Sequence, residues 1–231
     1  ITERLVDWVN KVFGRLPGSM GAVAIITCAI FAALTGSGAA TTAAVGAIMF
    51  PLMIKAQYSK DASAGIIASG AVLGPVIPPS IPMIIYGSAM GVSISDMFLG
   101  GVIPGVLMAG SFLLYNTWYA IKHQLPRSTT KYSLYDILKA TWHSLGVLML
   151  PVIILGGIYS GLFTPTEAAA VAIAYTTALM IAYGRFTFKR YLQVMKRTAS
   201  TTGVIMLIVA LSNAFSFLLT KERIPSKLTS A

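Results

Sequence analysis

The side chains best placed to do chemistry in this sequence are hydroxyls gathered where helices ought to break. In the stretch 35–51, TGSGAATTAAVGAIMFP, Thr35, Ser37, Thr41 and Thr42 surround Gly36 and Gly38. In the stretch 70–87, GAVLGPVIPPSIPMIIYG, Ser80 stands among Pro75, Pro78, Pro79 and Pro82. A proline inside a helix removes a backbone donor and collides with the turn before it. The second stretch is therefore expected to unwind at IPPS, between half-helices over 62–76 and 81–90. The glycines of the first supply the freedom for a tight turn between helices over 19–34 and 41–54. Unwound backbone frees carbonyl oxygens. Uncharged oxygen clusters at broken helices are how transporters coordinate Na⁺, and half-helix N-termini attract anionic substrate groups. The helices beginning after Gly38 and after Pro79 would aim two such ends at mid-membrane. Two plainer readings stand beside this one: Ser37 as a simple helix cap, and the proline stretch as a kinked helix that binds nothing.

Other chemistries lack their residues. Glu167 is the one acidic side chain inside an apolar window, a position that carries functional suspicion by default. Yet Thr164-Pro165-Thr166-Glu167 has the pattern of a capping box with proline at the first helical position, and capping is the preferred reading. His123 falls in a basic segment and His143 near a membrane edge, where interfacial roles are expected. Cys28, the single cysteine, reads as a small buried residue and makes no disulfide or transition-metal framework. Neither a GxxxxGK[ST] phosphate loop nor an HExxH pair occurs. No proton relay of Asp, Glu and His is visible, and the chain reads as a protein other than an enzyme.

Composition says what must position these hydroxyls. Hydrophobic residues are 56% of the chain and charged ones 10%, where a soluble domain carries about a quarter charged. Apolar windows of about 20 residues recur, each long enough to cross hydrocarbon, so the fold class is all-α and polytopic, in a lipid bilayer. The net charge of +10 comes from short segments between those windows, the positive-inside pattern rather than a nucleic-acid groove.

Residues 1–18 hold an amphipathic helix with Leu5, Trp8, Val9, Val12 and Leu16 on one stripe, ended by Pro17-Gly18 and suited to the interface or to bracing other helices. The uncharged run from Leu16 to Ile54 would be about 60 Å long as one straight helix, twice a hydrocarbon core of about 30 Å. Arg15 and Lys55 place both of its ends on the cytoplasmic side. A re-entrant hairpin over 19–54 satisfies this; two short ordinary spans with an outside loop at Gly36–Gly38 are the alternative. Backbone that turns within the bilayer survives only where it is packed in protein or lines a watery cavity, so the tip is itself a sign of a site. With a discontinuous helix over 62–90, the region 19–95 reads as one functional part. Residues 96–123 cross back, and 124–139 form a basic cytoplasmic loop. The region 140–231 adds crossings at 140–163, from Thr164 to Gly184, and at 198–220. The closing TKERIPSKLTS would lie outside despite its basic residues, a mild breach of the charge rule. With no initiator Met and no signal-peptide pattern at Ile1, the chain is expected to be an internal portion of a longer protein.

The segments GSGAATTAAVGAIMFPLM, GPVIPPSIPMIIYG and GGIYSGLFTPTEAAAVAIAY, in that order, resemble the large membrane subunit of tripartite ATP-independent periplasmic (TRAP) transporters. The resemblance spreads over essentially all of 1–220. It implies an elevator-type ion-transporter fold, of which this chain would hold the first inverted repeat and the start of the second. It implies Na⁺ symport of an organic acid anion, of the sialic acid or C4-dicarboxylate class, across the bacterial inner membrane. The implied partners are a small four-helix membrane subunit, separate or fused, and a periplasmic substrate-binding protein. Residue by residue, Gly36, Ser37 and Gly38 at the tip and Gly74, Val76, Pro79 and Ser80 at the break would form a first sodium site. Substrate would lie within reach of Ser37, Thr41 and Ser80, and the helix over 1–16 would act as a bracing arm. The family's second hairpin and second sodium site do not occur in this sequence.

Three rivals are weaker. A permease subunit of an ATP-driven importer couples through a cytoplasmic E-A-A loop with a glycine soon after, and TEAAAVAIAYTTALMIAYG lacks that near glycine. A channel needs no paired broken helices. An intramembrane enzyme lacks its acids, histidines or metal cluster.

Overall fold

The computed structural model describes residues 2–14, 18–125 and 133–222. The described chain is helical: α1 (Thr2–Phe13), α2 (Ser19–Thr35), α3 (Gly38–Lys55), α4 (Lys60–Ala71), α5 (Ile81–Met90), α6 (Ile94–Lys122), α7 (Leu134–Tyr159), α8 (Pro165–Ala182) and α9 (Phe188–Lys221). Five of these helices, α3 and α6 to α9, contain stretches long and apolar enough to cross a membrane, while α2 and α5 are shorter apolar helices. The chain divides into two compact units, 1–176 and 177–231.

The first unit carries the core. Leu5, Val6 and Val9 are the buried face of α1. The core joins Val6 and Val9 to Val23, Ala24, Ile25 and Cys28 of α2, Val45, Met49 and Met53 of α3, and Ile66 and Ile67 of α4. The α1 face is narrower than the stripe read from the sequence, whose Leu16 lies outside the described residues. Trp8 joins α1 to α7 by donating from Nε1 to Thr141 Oγ1 at 2.8 Å. A second cluster gathers Phe98 of α6 with Ile158, Ala168 and the flanking Met83, Ile94 and Phe163.

A buried polar knot centred on Tyr58, itself a member of the core, ties α2, the α3–α4 turn and α6 together. The Tyr58 hydroxyl lies 2.9 Å from Gly18 O and 3.0 Å from Asn116 Oδ1. Asn116 Nδ2 donates to the same Gly18 carbonyl at 3.1 Å, and Gly21 N–H donates to the Tyr58 oxygen at 3.3 Å. Burial pushes the Tyr58 phenol up to about 12, so it keeps its proton at every physiological pH. Paired in this way, buried polar groups avoid the cost of unmet hydrogen bonds.

Three boundaries differ from the sequence reading by five residues or more, while α3 begins at Gly38 rather than 41. The α4 helix stops at Ala71 rather than 76, so the interruption spans 72–80 rather than IPPS alone. Its turns tighten instead: Gly74 N donates to Ala71 O at 3.0 Å and Val76 N to Leu73 O at 3.1 Å, each three residues back. The α7 helix begins at Leu134, inside the expected loop, because Asp136 Oδ2 receives the Ser133 N–H at 3.0 Å and starts the helix early. Arg127 and Lys131 of that loop lie outside the described residues. The α9 helix begins at Phe188, not 198, because Lys189, Arg190, Lys196 and Arg197 are good helix formers.

In the second unit, no described residue of α9 is buried. Leu207, Leu211, Phe215 and Phe217 each expose more than half their surface, as apolar side chains do where hydrocarbon is the solvent.

Candidate site at two helix interruptions

The chain reverses between α2 and α3 through Gly36 and Ser37 alone. Gly36 adopts φ 61° and its N–H donates to Ala32 O, closing α2 in the left-handed conformation that glycine reaches without strain. Ser37 then caps α3, its hydroxyl accepting from Ala40 N at 3.3 Å. The hydroxyls on either side fold back onto this turn. Thr41 Oγ1 donates to Ser37 O at 2.8 Å and lies 3.3 Å from Thr35 Oγ1. Thr35 Oγ1 donates to Phe31 O at 3.0 Å. Thr42 Oγ1 donates to Gly38 O at 3.0 Å from an exposed position.

The other interruption, 72–80, is held differently. Ser80 is wholly buried at 0% exposure. Its hydroxyl donates to Pro75 O at 2.6 Å and accepts from Met83 N at 3.5 Å, closing the loop and capping α5 with one oxygen. Pro78 and Pro79 are joined by a cis peptide bond.

The two interruptions meet backbone to backbone. Ile81 N–H, the first of α5, donates to Gly36 O at 3.3 Å. A Cβ on Gly36 would fall 2.7 Å from Pro79 O, and one on Gly74 would fall 2.6 Å from Gly38 N and 2.7 Å from the Ser37 carbonyl carbon. Real Cβ atoms do not come so close, so these two positions require glycine for the approach itself. Gly36, Ser37, Gly38, Gly74, Pro79 and Ser80 thus occupy one small volume. Thr41 stands behind the tip, wholly buried and committed to Ser37 O. Val76 sits elsewhere in the break, with its carbonyl against Gly101 of α6.

Chemically the arrangement offers oxygens without charge: the Ser37, Thr35 and Ser80 hydroxyls beside the Gly36, Ser37, Pro75 and Pro79 carbonyls. That donor set suits a hard monovalent cation held without carboxylates. Among the described residues no three His, Cys, Asp or Glu side chains gather as metal ligands. Glu167 serves as the N-terminal box of α8: its Oε2 accepts from Thr164 N and Oγ1, each at 2.8 Å, while Glu167 N donates to Thr164 Oγ1 at 3.3 Å.

The sequence places Thr35 among the turn oxygens without carrying it into the site, and it marks 96–123, now α6 (Ile94–Lys122), as a crossing without giving it any part in the site. The signal for Thr35 is its spacing of six from Thr41 across a two-residue turn. The signal for α6 is the G-x-x-x-G of Gly101 and Gly105, a pattern that brings backbones close in membranes.

Comparison with known proteins gives one family. The family described as "Tripartite ATP-independent periplasmic transporter, DctM component" matches residues 1–231. The chain is 42% identical over 232 residues to the 2,3-diketo-L-gulonate TRAP transporter large permease protein YiaN of Escherichia coli (strain K12), covering 97% of this chain and 53% of that protein. It is 37% identical over 231 residues to the C4-dicarboxylate TRAP transporter large permease protein DctM of Pseudomonas aeruginosa, covering 100% and 54%. It is 34% identical over 229 residues to the sialic acid TRAP transporter large permease protein SiaM of Vibrio cholerae, covering 99% and 53%. The chain therefore spans about half the length of the curated relatives it matches.

Proposed function

The chain belongs to the DctM component family of tripartite ATP-independent periplasmic transporters, a multi-pass permease component of the inner membrane and not an enzyme, and from that premise we propose that it forms one half of a Na⁺-coupled importer of an organic acid anion. The observation that carries this reading is the contact of the hairpin tip with the α4–α5 break, with Ile81 N–H donating to Gly36 O. Around that contact, carbonyls and the Ser37 and Ser80 hydroxyls hold the coupling ion, and the substrate carboxylate lies beside it at the start of α3. The three relatives named above carry 2,3-diketo-L-gulonate, C4-dicarboxylate and sialic acid in their names. Each is a carboxylic acid, which supports an organic acid anion as the cargo here.

In this reading α2 and α3 form a re-entrant hairpin that moves, with α4 and α5, as an elevator body past a static frame. A small membrane subunit enlarges that frame and a periplasmic protein delivers the substrate. Membership of an ATP-independent family favours ion coupling over the ATP-driven permease alternative.

Uptake into proteoliposomes holding the complete transporter tests this. An inward Na⁺ gradient, no ATP, and each candidate binding protein added outside should give accumulation of a labelled organic acid that needs both Na⁺ and one binding protein. Accumulation that ignores Na⁺ and requires ATP would sink the reading.

A further inference from the structure

The break between α4 and α5 is gripped on two sides. On one side it touches the hairpin tip, through Gly74 against Gly38 and Ile81 against Gly36. On the other it rests on one face of α6. A Cβ on Gly101 would fall 2.6 Å from the Val76 carbonyl oxygen and 2.7 Å from Met83 Cε, and one on Gly105 would fall 2.7 Å from Ile77 Cγ1. Other glycines of the same helix are different: a Cβ on Gly100 or Gly110 would meet nothing within 4 Å. Closeness is therefore confined to the face that carries the break.

We propose that Gly101 is a positioning residue for the sodium site, because its missing side chain lets the break seat on α6 and so keeps Pro79 and Ser80 against the hairpin tip. The inference rests on the sodium site proposed above. Its physical basis is the nature of the obstructing atom. Met83 Cε is the far end of a flexible side chain and can swing away. Val76 O is backbone, and it can retreat only by moving the segment it belongs to. Local adjustment is costly: turning the Val76–Ile77 peptide would pull the Ile77 N–H off Leu73 O, 2.7 Å away, and Pro75, Pro78 and Pro79 each have φ fixed by their ring. A push at Val76 therefore travels to Pro79 and Ser80, whose oxygens lie at the contact with Gly36. Packed helices in membranes use small residues for such close approach. Here the approaching partner is an interrupted backbone rather than a second helix.

The test is equilibrium binding of ²²Na⁺ to the purified complete membrane complex, which needs no knowledge of the organic acid. Gly101→Ala should raise the Na⁺ half-saturation about fivefold or more, the low end of an overpacking cost expressed as affinity, with the number of sites unchanged. Gly100→Ala, one residue away with open space, should bind as wild type does. Met83→Ala added to Gly101→Ala should leave the defect in place, because the carbonyl conflict persists. Wild-type binding by Gly101→Ala, or full restoration by Met83→Ala, would overturn the positioning role while leaving the sodium site standing. Absence of ²²Na⁺ binding by the wild-type complex would overturn both. Should Gly101→Ala fail to assemble, Gly105→Ala takes its place. It should show a smaller loss of affinity that Ile77→Ala relieves, and an unshifted half-saturation there would overturn the proposal.

Discussion

At the hairpin tip the chain reverses in two residues and turns its hydroxyls back on its own backbone, whereas between α4 and α5 it spends 72–80 on turns and prolines. The tip is rich in donors. Among the described residues the N–H groups of Gly38 and Ala39 show no hydrogen-bond partner, while the Thr35, Thr41 and Thr42 hydroxyls donate to Phe31 O, Ser37 O and Gly38 O. The break is rich in acceptors. At the start of α5 the Ile81 N–H is taken by Gly36 O, Pro82 has none, and Met83 N reaches only the Ser80 hydroxyl. Two helix N-termini that look alike in sequence thus end in different states, one open and one closed by its neighbour's backbone. Since an open N-terminus favours an anion and exposed carbonyls favour a cation, the difference supports the proposed placing of the substrate carboxylate at the start of α3 and of the coupling ion at the seam beside the break.

The sharpest way to break that division is to force the two elements apart. Gly36→Ala adds a side chain at φ 61°, 2.7 Å from Pro79 O, and should cost about 2–4 kcal/mol from left-handed strain and overpacking together. Na⁺-driven uptake by the complete transporter should fall to background while the protein still inserts. Gly74→Ala presses on Gly38 N without the conformational strain. It should cost about 1–3 kcal/mol, read as an increase of tenfold or so in the Na⁺ needed for half-maximal uptake. Ser80→Ala removes a buried donor at 2.6 Å from Pro75 O and should cost about 1–3 kcal/mol, again read in the Na⁺ dependence. Ser37→Ala removes a half-buried cap and should cost about 1 kcal/mol, with organic acid KM rising beside the Na⁺ effect. Thr42→Ala, whose exposed hydroxyl only back-bonds to Gly38 O, should stay within about 0.5 kcal/mol of wild type. If Thr42→Ala matched Ser80→Ala in uptake, the ranking of buried seam over exposed rim would be wrong.

Much of this was readable beforehand, for physical reasons that differ between the two elements. The helices α2 and α3 run within a few residues of the spans read from composition and glycine placement, because a two-residue turn is a local event written in local residues. Ser37 was legible as a possible cap ahead of an apolar run, whereas Ser80 was legible only as a hydroxyl among freed carbonyls, and its capping of α5 emerges from the structure. The extent of the break was not readable. Prolines mark where a helix cannot continue, but α4 ends at Ala71 because Gly74 must lie against Gly38, a contact set by the other end of the hairpin. The seat on α6 was invisible for the same reason: Gly100, Gly101 and Gly105 read alike until something is placed over them. Thr41 shows the opposite case, since its type suggested a ligand-facing hydroxyl and its geometry commits the proton to Ser37 O.

The central claim is that tip and break form one ion-coupled site. Its most direct test is the Na⁺ concentration dependence of uptake by the complete transporter carrying Ser37→Ala or Ser80→Ala. The account predicts reduced uptake with Na⁺ half-saturation displaced upward in both variants, more in Ser80→Ala, and normal membrane insertion. Full uptake with an unchanged Na⁺ dependence in both would contradict it.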